Sequence, residues 1–185
     1  MATMISSGND VVLFLKEQHR QVEAGFEQVL GSSGPQRQAA FLALRRLLAV
    51  HETAEEEVVH PAARRALPDG NLIVDARLQE ENEAKRLLAG LEDGDVDSPE
   101  FVRQLTQLQS SVLAHARAEE DDEFDRLAVA LDQKELERMR KAVSLAEQVA
   151  PTRPHPGIES AVANVLTGPF VSMLDRARDA LSGKS

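Results

Sequence analysis

The 185-residue chain carries 31 acidic against 21 basic side chains, a formal net charge of −10, and no Cys, Trp or Tyr. Without thiols it has no disulfides, iron–sulfur clusters or thiolate zinc sites, which fits a reducing compartment. The acidic balance and the lack of aromatic platforms count against nucleic acid and anionic membranes as partners, since both reward clustered Lys and Arg.

No apolar run is long enough to cross a bilayer, and Met1 to Asp10 lacks the pattern of a signal peptide, so the expected location is cytoplasmic. Gly-rich phosphate loops, a GxSxG elbow and a GxGxxG fingerprint are missing, which leaves any chemistry to His, Asp and Glu.

Asn9 or Asp10 can cap a first helix whose apolar stripe runs Val12, Leu15, His19, Val22, Phe26 and Leu30, with His19 in mid-stripe. The GSSGP stretch at 31–35 ends it, and Pro35 suits the first turn of a second helix reaching toward Pro68. Pro61 falls inside that pattern, one residue after His60, and predicts a bend or loosening there.

The PDGN turn at 68–71 leads into a third helix with the stripe Leu78, Glu81, Ala84 or Lys85, Leu88 and Leu91, where Glu81 takes the place of a core residue. After EDGDVD, Ser98 caps and Pro99 opens a fourth helix. Asp132 with Glu135 resembles a capping box for a fifth helix to about Val149. The linker APTRPHPG, containing His155, separates it from a last amphipathic segment, Ile158 to Leu181, with a kink expected at Pro169. No segment alternates with the period of a strand, so the chain is all-α.

Two stretches stand out, HETAEEEVVHP from His51 and HARAEEDDEFD from His115. Positions i and i+4 stand one above the other on a helix, so His51/Glu55 and His115/Glu119 each place an imidazole above a carboxylate. Counting back from His51 gives Leu48, Leu44 and Phe41, and from His115 gives Val112, Leu108, Leu105 and Phe101. Both pairs therefore continue a buried stripe. A carboxylate there is costly unless something compensates it, and two alike insertions call for cations.

The pattern repeats. A lone ligand-type residue, His19 and then Glu81, precedes each HxxxE unit, and the two hairpins so formed pack most simply as an up-down-up-down four-helix bundle. One metal would take His19 and His51, the other Glu81 and His115, with Glu55 and Glu119 free to bridge. Imidazole plus carboxylate suits iron or manganese, and zinc also binds such sets. In an ideal helix His60 faces away from His51, two and a half turns on, and joins the site only if Pro61 distorts the helix end. Beyond Glu119, the run EEDDE reads mostly as a solvated face.

With these residues in hand, the chain resembles the hemerythrin-like, or HHE cation-binding, family. The family pattern is a His on helix one, HxxxE on helix two, one or two His on helix three, and HxxxE or HxxxxD on helix four. It is matched here by His19, by His51 with Glu55, and by His115 with Glu119. The resemblance implies a non-haem di-iron centre in a four-helix bundle, used across the family for O2 binding, for oxygen or iron sensing, and for peroxide or nitric oxide handling.

Helix three departs from the family. Laying EENEAKRLLAGL on the common EEHEEIKELLAEL puts Glu81 where a His belongs and Lys85 near the second His of the O2-carrying members. Some bacterial relatives add a Tyr ligand at the end of helix two, and His60 occupies that position here. Fewer imidazoles and more carboxylates stabilise oxidised metals and work against reversible O2 carriage.

The expectation is a bundle over residues 9–131 with a C-terminal helical extension, residues 132–185, holding two further helices. The bundle would carry two irons, with manganese or zinc as alternatives, on His19, His51, Glu55, His60, Glu81, His115 and Glu119. The partner would be a small oxidant or gas, namely peroxide, O2 or NO, with reduction or disproportionation of peroxide as the sharper reading. A sensor of iron, O2 or NO and a metal-free scaffold are the rivals. No catalytic acid or base beyond the ligands is identified, Lys85 is an electrostatic candidate, and the oligomeric state stays open.

Overall fold

The computed structural model describes residues 10–92 and 94–149, most of them in helices joined by short turns. The expected linker at 150–157 and the segment Ile158 to Leu181 lie outside the described residues. Five long helical units follow one another. The first, α1, is Val11–Leu30, and α2 is Gly34–Ala54, continuing through a π-helical turn, Glu55–Val59, into His60–Ala66. Next come α3, Gly70–Leu91, and α4, Pro99–Glu119, which runs through a second π turn, Glu120–Phe124, into Asp125–Ala130. The fifth, α5, is Gln133–Val149.

The helix starts follow local chemistry. Asp10 caps α1 by accepting from the Leu13 N–H at 3.0 Å, and Ser98 caps α4 by accepting from the Phe101 N–H at 3.1 Å. Asp132 and Glu135 form the reciprocal box at α5, each carboxylate accepting from the other's backbone N–H. Gly34 opens α2 at φ 56°, a left-handed conformation that glycine adopts without strain, and its N–H meets the Asp97 carboxylate at 2.9 Å. Arg37 reaches the same carboxylate at 3.1 Å, so the α1–α2 turn is tied to the α3–α4 connection.

Helix α1 packs on α2, α3 on α4, and α1 on α4, while α5 lies against α1, α2 and the first π turn. Two apolar clusters result. One gathers Val22, Phe26, Phe41, Leu44, Leu48, Leu88, Phe101 and Leu105, with Phe41 and Phe101 edge to face at 5.1 Å. The other gathers Val11, Leu15, Val59, Val74, Phe124 and Leu127 with Leu136, Val143 and Ala146 of α5. Each of α1 to α4 passes from one cluster to the other, and between them it carries its His or Glu residues.

Where α2 meets α3 the backbones nearly touch. A Cβ on Gly70 would stand 2.2 Å from the Ala63 carbonyl oxygen, a backbone atom that has no rotamer to move away. By contrast, a Cβ on Gly90, on the exposed face of α3, meets nothing within 4 Å. In urea denaturation, Gly70→Ala is expected to lower stability by about 1–3 kcal/mol. Gly90→Ala should raise it by up to about 1 kcal/mol through helix propensity. Equal effects at the two positions would refute the close approach.

Candidate metal centre

The polar layer between the two clusters contains all seven residues expected from the sequence. His19, His51, Glu55, His60, Glu81 and Glu119 are buried, and the His115 side chain is 11% exposed. Their four imidazoles share one arrangement. His19 Nδ1 lies 2.8 Å from Glu120 Oε1, His60 Nδ1 3.0 Å from Glu123 Oε1, and His115 Nδ1 2.9 Å from Glu80 Oε2. His51 Nδ1 instead meets the amide Oε1 of Gln18 at 3.0 Å. With Nδ1 engaged outward, each ring turns Nε2 inward, the posture of imidazoles that ligate metals.

The inward nitrogens converge on carboxylates. His51 Nε2 is 3.3 Å from Glu55 Oε2, His115 Nε2 is 3.2 Å from Glu119 Oε1, and His19 Nε2 is 3.4 Å from Glu119 Oε2. His60 Nε2 is 2.7 Å from Glu81 Oε1. Ligand atoms of His19, His51, Glu55 and Glu119 all lie within 4.8 Å of one another, and so do those of His60, Glu81 and Glu119. Glu119 belongs to both sets. Buried without a hydrogen-bond partner are Nε2 of His19 and His115 and both oxygens of Glu55 and Glu119. Polar atoms left bare in a core are costly, and here they face one another, which is what a cation between them would relieve.

These residues fit a cation-binding layer, and comparison with known proteins agrees. The family model described as Hemerythrin HHE cation binding domain matches residues 10–127. The chain belongs to this family. A relative from Nostoc sp. (strain PCC 7120 / SAG 25.82 / UTEX 2576), described as a DNA nickase, is 32% identical over 111 residues, 60% of this chain and 31% of that protein. The chain thus spans less than a third of that relative's length. No solved structure matches.

Two expectations about this hemerythrin-family site are corrected. Glu81 was paired in sequence with His115, whereas the structure puts it against His60. The cause is the π turn at Glu55–Val59, where the His60 N–H bonds to the carbonyl of Glu55, five residues back, just before Pro61, which has no N–H to give. One residue is absorbed in the turn, and His60 swings from opposite His51 to roughly 80° away. The second correction concerns EEDDE. A matching π turn, with Asp125 N–H on the Glu120 carbonyl, runs through this stretch, in which Glu123, one helical turn after Glu119, is fully buried and Glu120 meets His19.

Gln18, Glu80, Glu120 and Glu123 were not singled out in the sequence, although Glu123 stands at i+4 from Glu119. Lys85 is buried among acids, its Nζ bonded to Glu56 and lying 3.4 Å from Glu81 Oε2 and 3.7 Å from Glu52 Oε2. Burial opposes its charge, but these carboxylates hold its proton far more firmly than in a free lysine.

Protons take up part of the balance. Burial opposes the charge on His60, yet the hydrogen bonds to Glu123 and Glu81 raise it to about 10. Burial likewise opposes ionisation of Glu81, but the His60 bond and charge and the Lys85 charge lower it to about 2. Burial, then the neighbouring Glu119 and Glu81, push Glu55 well up. A raised imidazole stabilises the fold fully below its ordinary value of 6.5, and the contribution fades as pH rises through about 10. Calorimetry in a chelator should therefore show the metal-free protein losing stability between about 6.5 and 10, with a shallower loss in His60→Gln. Parallel profiles for the two proteins would exclude His60 as the source.

Proposed function

We propose that this layer holds two iron ions and that the protein acts on a small oxidant, with peroxide favoured. The observation that carries the reading is the set of facing, buried and unpartnered ligand atoms on His19, His115, Glu55 and Glu119. One ion would take His19, His51, Glu55 and Glu119, and the other His60, Glu81 and Glu119 with His115 beside them. Mixed imidazole and carboxylate donors suit iron, with manganese and zinc as alternatives.

Bound iron would supply redox and Lewis-acid chemistry toward the oxidant. The chain's own residues set the conditions. Glu119, common to both ligand sets, would hold the two positions together. The Nδ1 partners keep the rings turned inward, and the apolar clusters above and below limit water. Lys85 holds Oε2 of Glu81, leaving Oε1 toward His60, and adds a positive charge to a carboxylate-rich layer.

The metal-binding unit would be residues 9–131, running up-down-up-down, which the alternating order of the two clusters along α1 to α4 supports. Residues 132–185 would be an extension on it. No described helix is long and apolar enough to cross a membrane, and a cytoplasmic setting fits the lack of Cys. DNA nicking is not carried over from the Nostoc protein, because less than a third of that protein is matched and the net charge of −10 offers phosphates little.

One observation favours a rival reading as a sensor of iron, O2 or NO without turnover: α5, outside the family match, packs on the first π turn of the site.

Elemental analysis should find about two irons per chain, as in other paired-carboxylate bundles, lost in His51→Ala/His115→Ala. Rapid peroxide turnover by the loaded protein would support the enzyme. A gas-dependent spectrum without turnover would shift the reading to the sensor. One zinc, or no metal, would overturn the di-iron reading.

A further inference from the structure

His51 differs from the other three imidazoles in what holds its Nδ1. Glu120, Glu123 and Glu80 are carboxylates, which when ionised only accept, so each places a hydrogen on the Nδ1 it faces. Gln18 is an amide. It can turn either an acceptor or a donor toward His51, and so by itself permits either tautomer. If the NH2 faced His51, the ring's hydrogen would sit on Nε2, and no lone pair would point inward.

A third residue removes the ambiguity. Gln18 Nε2 donates to Glu147 Oε1 at 2.5 Å, from α1 to α5. Because the carboxylate accepts, the amide nitrogen must face Glu147, the amide oxygen must face His51, and the hydrogen must lie on His51 Nδ1. Gln18 is 7% exposed, so solvent has little room to compete. The docking of α5 holds Glu147 at this spot. Leu136, Val143 and Ala146 are buried in the second cluster, and the Arg140 guanidinium lies 3.4 Å from the centroid of the Phe14 ring on α1.

We infer that Glu147 is a positioning residue for the metal layer, setting the tautomer of His51 through Gln18 so that the Nε2 lone pair faces the carboxylates. Glu147 lies beyond the residues that match the family, 10–127, so this control comes from a helix outside the matched segment. Its consequence for metal affinity rests on the reading that His51 is a ligand. The tautomer itself rests on the hydrogen bonds alone.

The test uses the full-length chain in three forms: wild type, Glu147→Ala, and Gln18→Glu/Glu147→Ala. The last moves the carboxylate from position 147 to 18, where it can accept from His51 Nδ1 unaided. Histidine ring 15N spectra of the metal-free proteins should show His51 with its hydrogen on Nδ1 in wild type, a mixture or Nε2–H in Glu147→Ala, and Nδ1–H again in the double variant. The His60 signals should stay unchanged in all three.

Cobalt(II) titration should find Glu147→Ala binding about 10–100-fold more weakly, the range for loss of an outer partner, with recovery in the double variant. An unshifted His51 tautomer in Glu147→Ala would overturn the inference, even if affinity fell. So would a double variant that folds without restoring Nδ1–H. If wild type takes up no cobalt while the tautomer shifts as expected, the metal reading fails and the role of Glu147 stands.

Discussion

The constraint on which the structure depends is the burial of carboxylates in the middle of a helical core. Glu55, Glu81, Glu119 and Glu123 have no exposed surface, and they sit between two apolar clusters. Moving an isolated carboxylate from water to such a place costs several kcal/mol even after relaxation, so four of them uncompensated would exceed a typical domain's whole stability margin. Each must be paired, protonated or bound to a cation. His60 between Glu81 and Glu123, Lys85 against Glu56 and Glu81, and the raised affinity of Glu55 for its proton are three answers to one problem. They leave both oxygens of Glu119 and of Glu55 facing inward without hydrogen bonds, and there a cation would complete the balance.

The first π turn is how the layer gains an imidazole from beyond the HxxxE unit of α2. An α-helix returns to the same face every 3.6 residues, so α2 offers His51, Glu55 and then the apolar Val59 to the core, while His60 would point away. Widening the next turn keeps the chain facing inward a little longer. In α2 this brings in His60, which bonds to Glu123, one helical turn after Glu119 in α4. Pro61 fits the first widened turn because it cannot donate there, but the second, Glu120–Phe124, contains no proline. The feature common to both is the acid-rich HxxxE unit, with its buried carboxylate at the entry to the turn.

This explains which parts of the site could be read from the residues. Helix boundaries followed from capping and turn chemistry at Asp10, Ser98, Pro99 and the Asp132/Glu135 box, because those rules act over a few residues. His19, the two HxxxE units and Glu81 were legible because they interrupt apolar stripes of regular period. His60 was on the wrong face because extrapolating a regular helix past Glu55 carries the error of one absorbed residue, whereas Glu123, at i+4 from Glu119, was hidden among the acids of EEDDE. Gln18 and Glu80 stand one position from His19 and Glu81, and in a sequence such neighbours look like ordinary surface side chains. Their role depends on which helix packs alongside, which no local pattern reports.

That packing ties the metal layer to the rest of the molecule. The outer partner of His19 comes from α4, that of His60 from α4, that of His115 from α3, and that of His51 from α1, itself held by α5. Each ring is thus carried on one helix and aimed by another. Ligand geometry and helix docking are two views of the same set of hydrogen bonds. A cation that binds only the assembled layer must stabilise the docking of every helix that contributes, and any contact that loosens α5 must weaken the grip on His51 in return. In this respect a ligand at the layer and a contact on the outer helix would act on the same equilibrium, so either would be felt at the other.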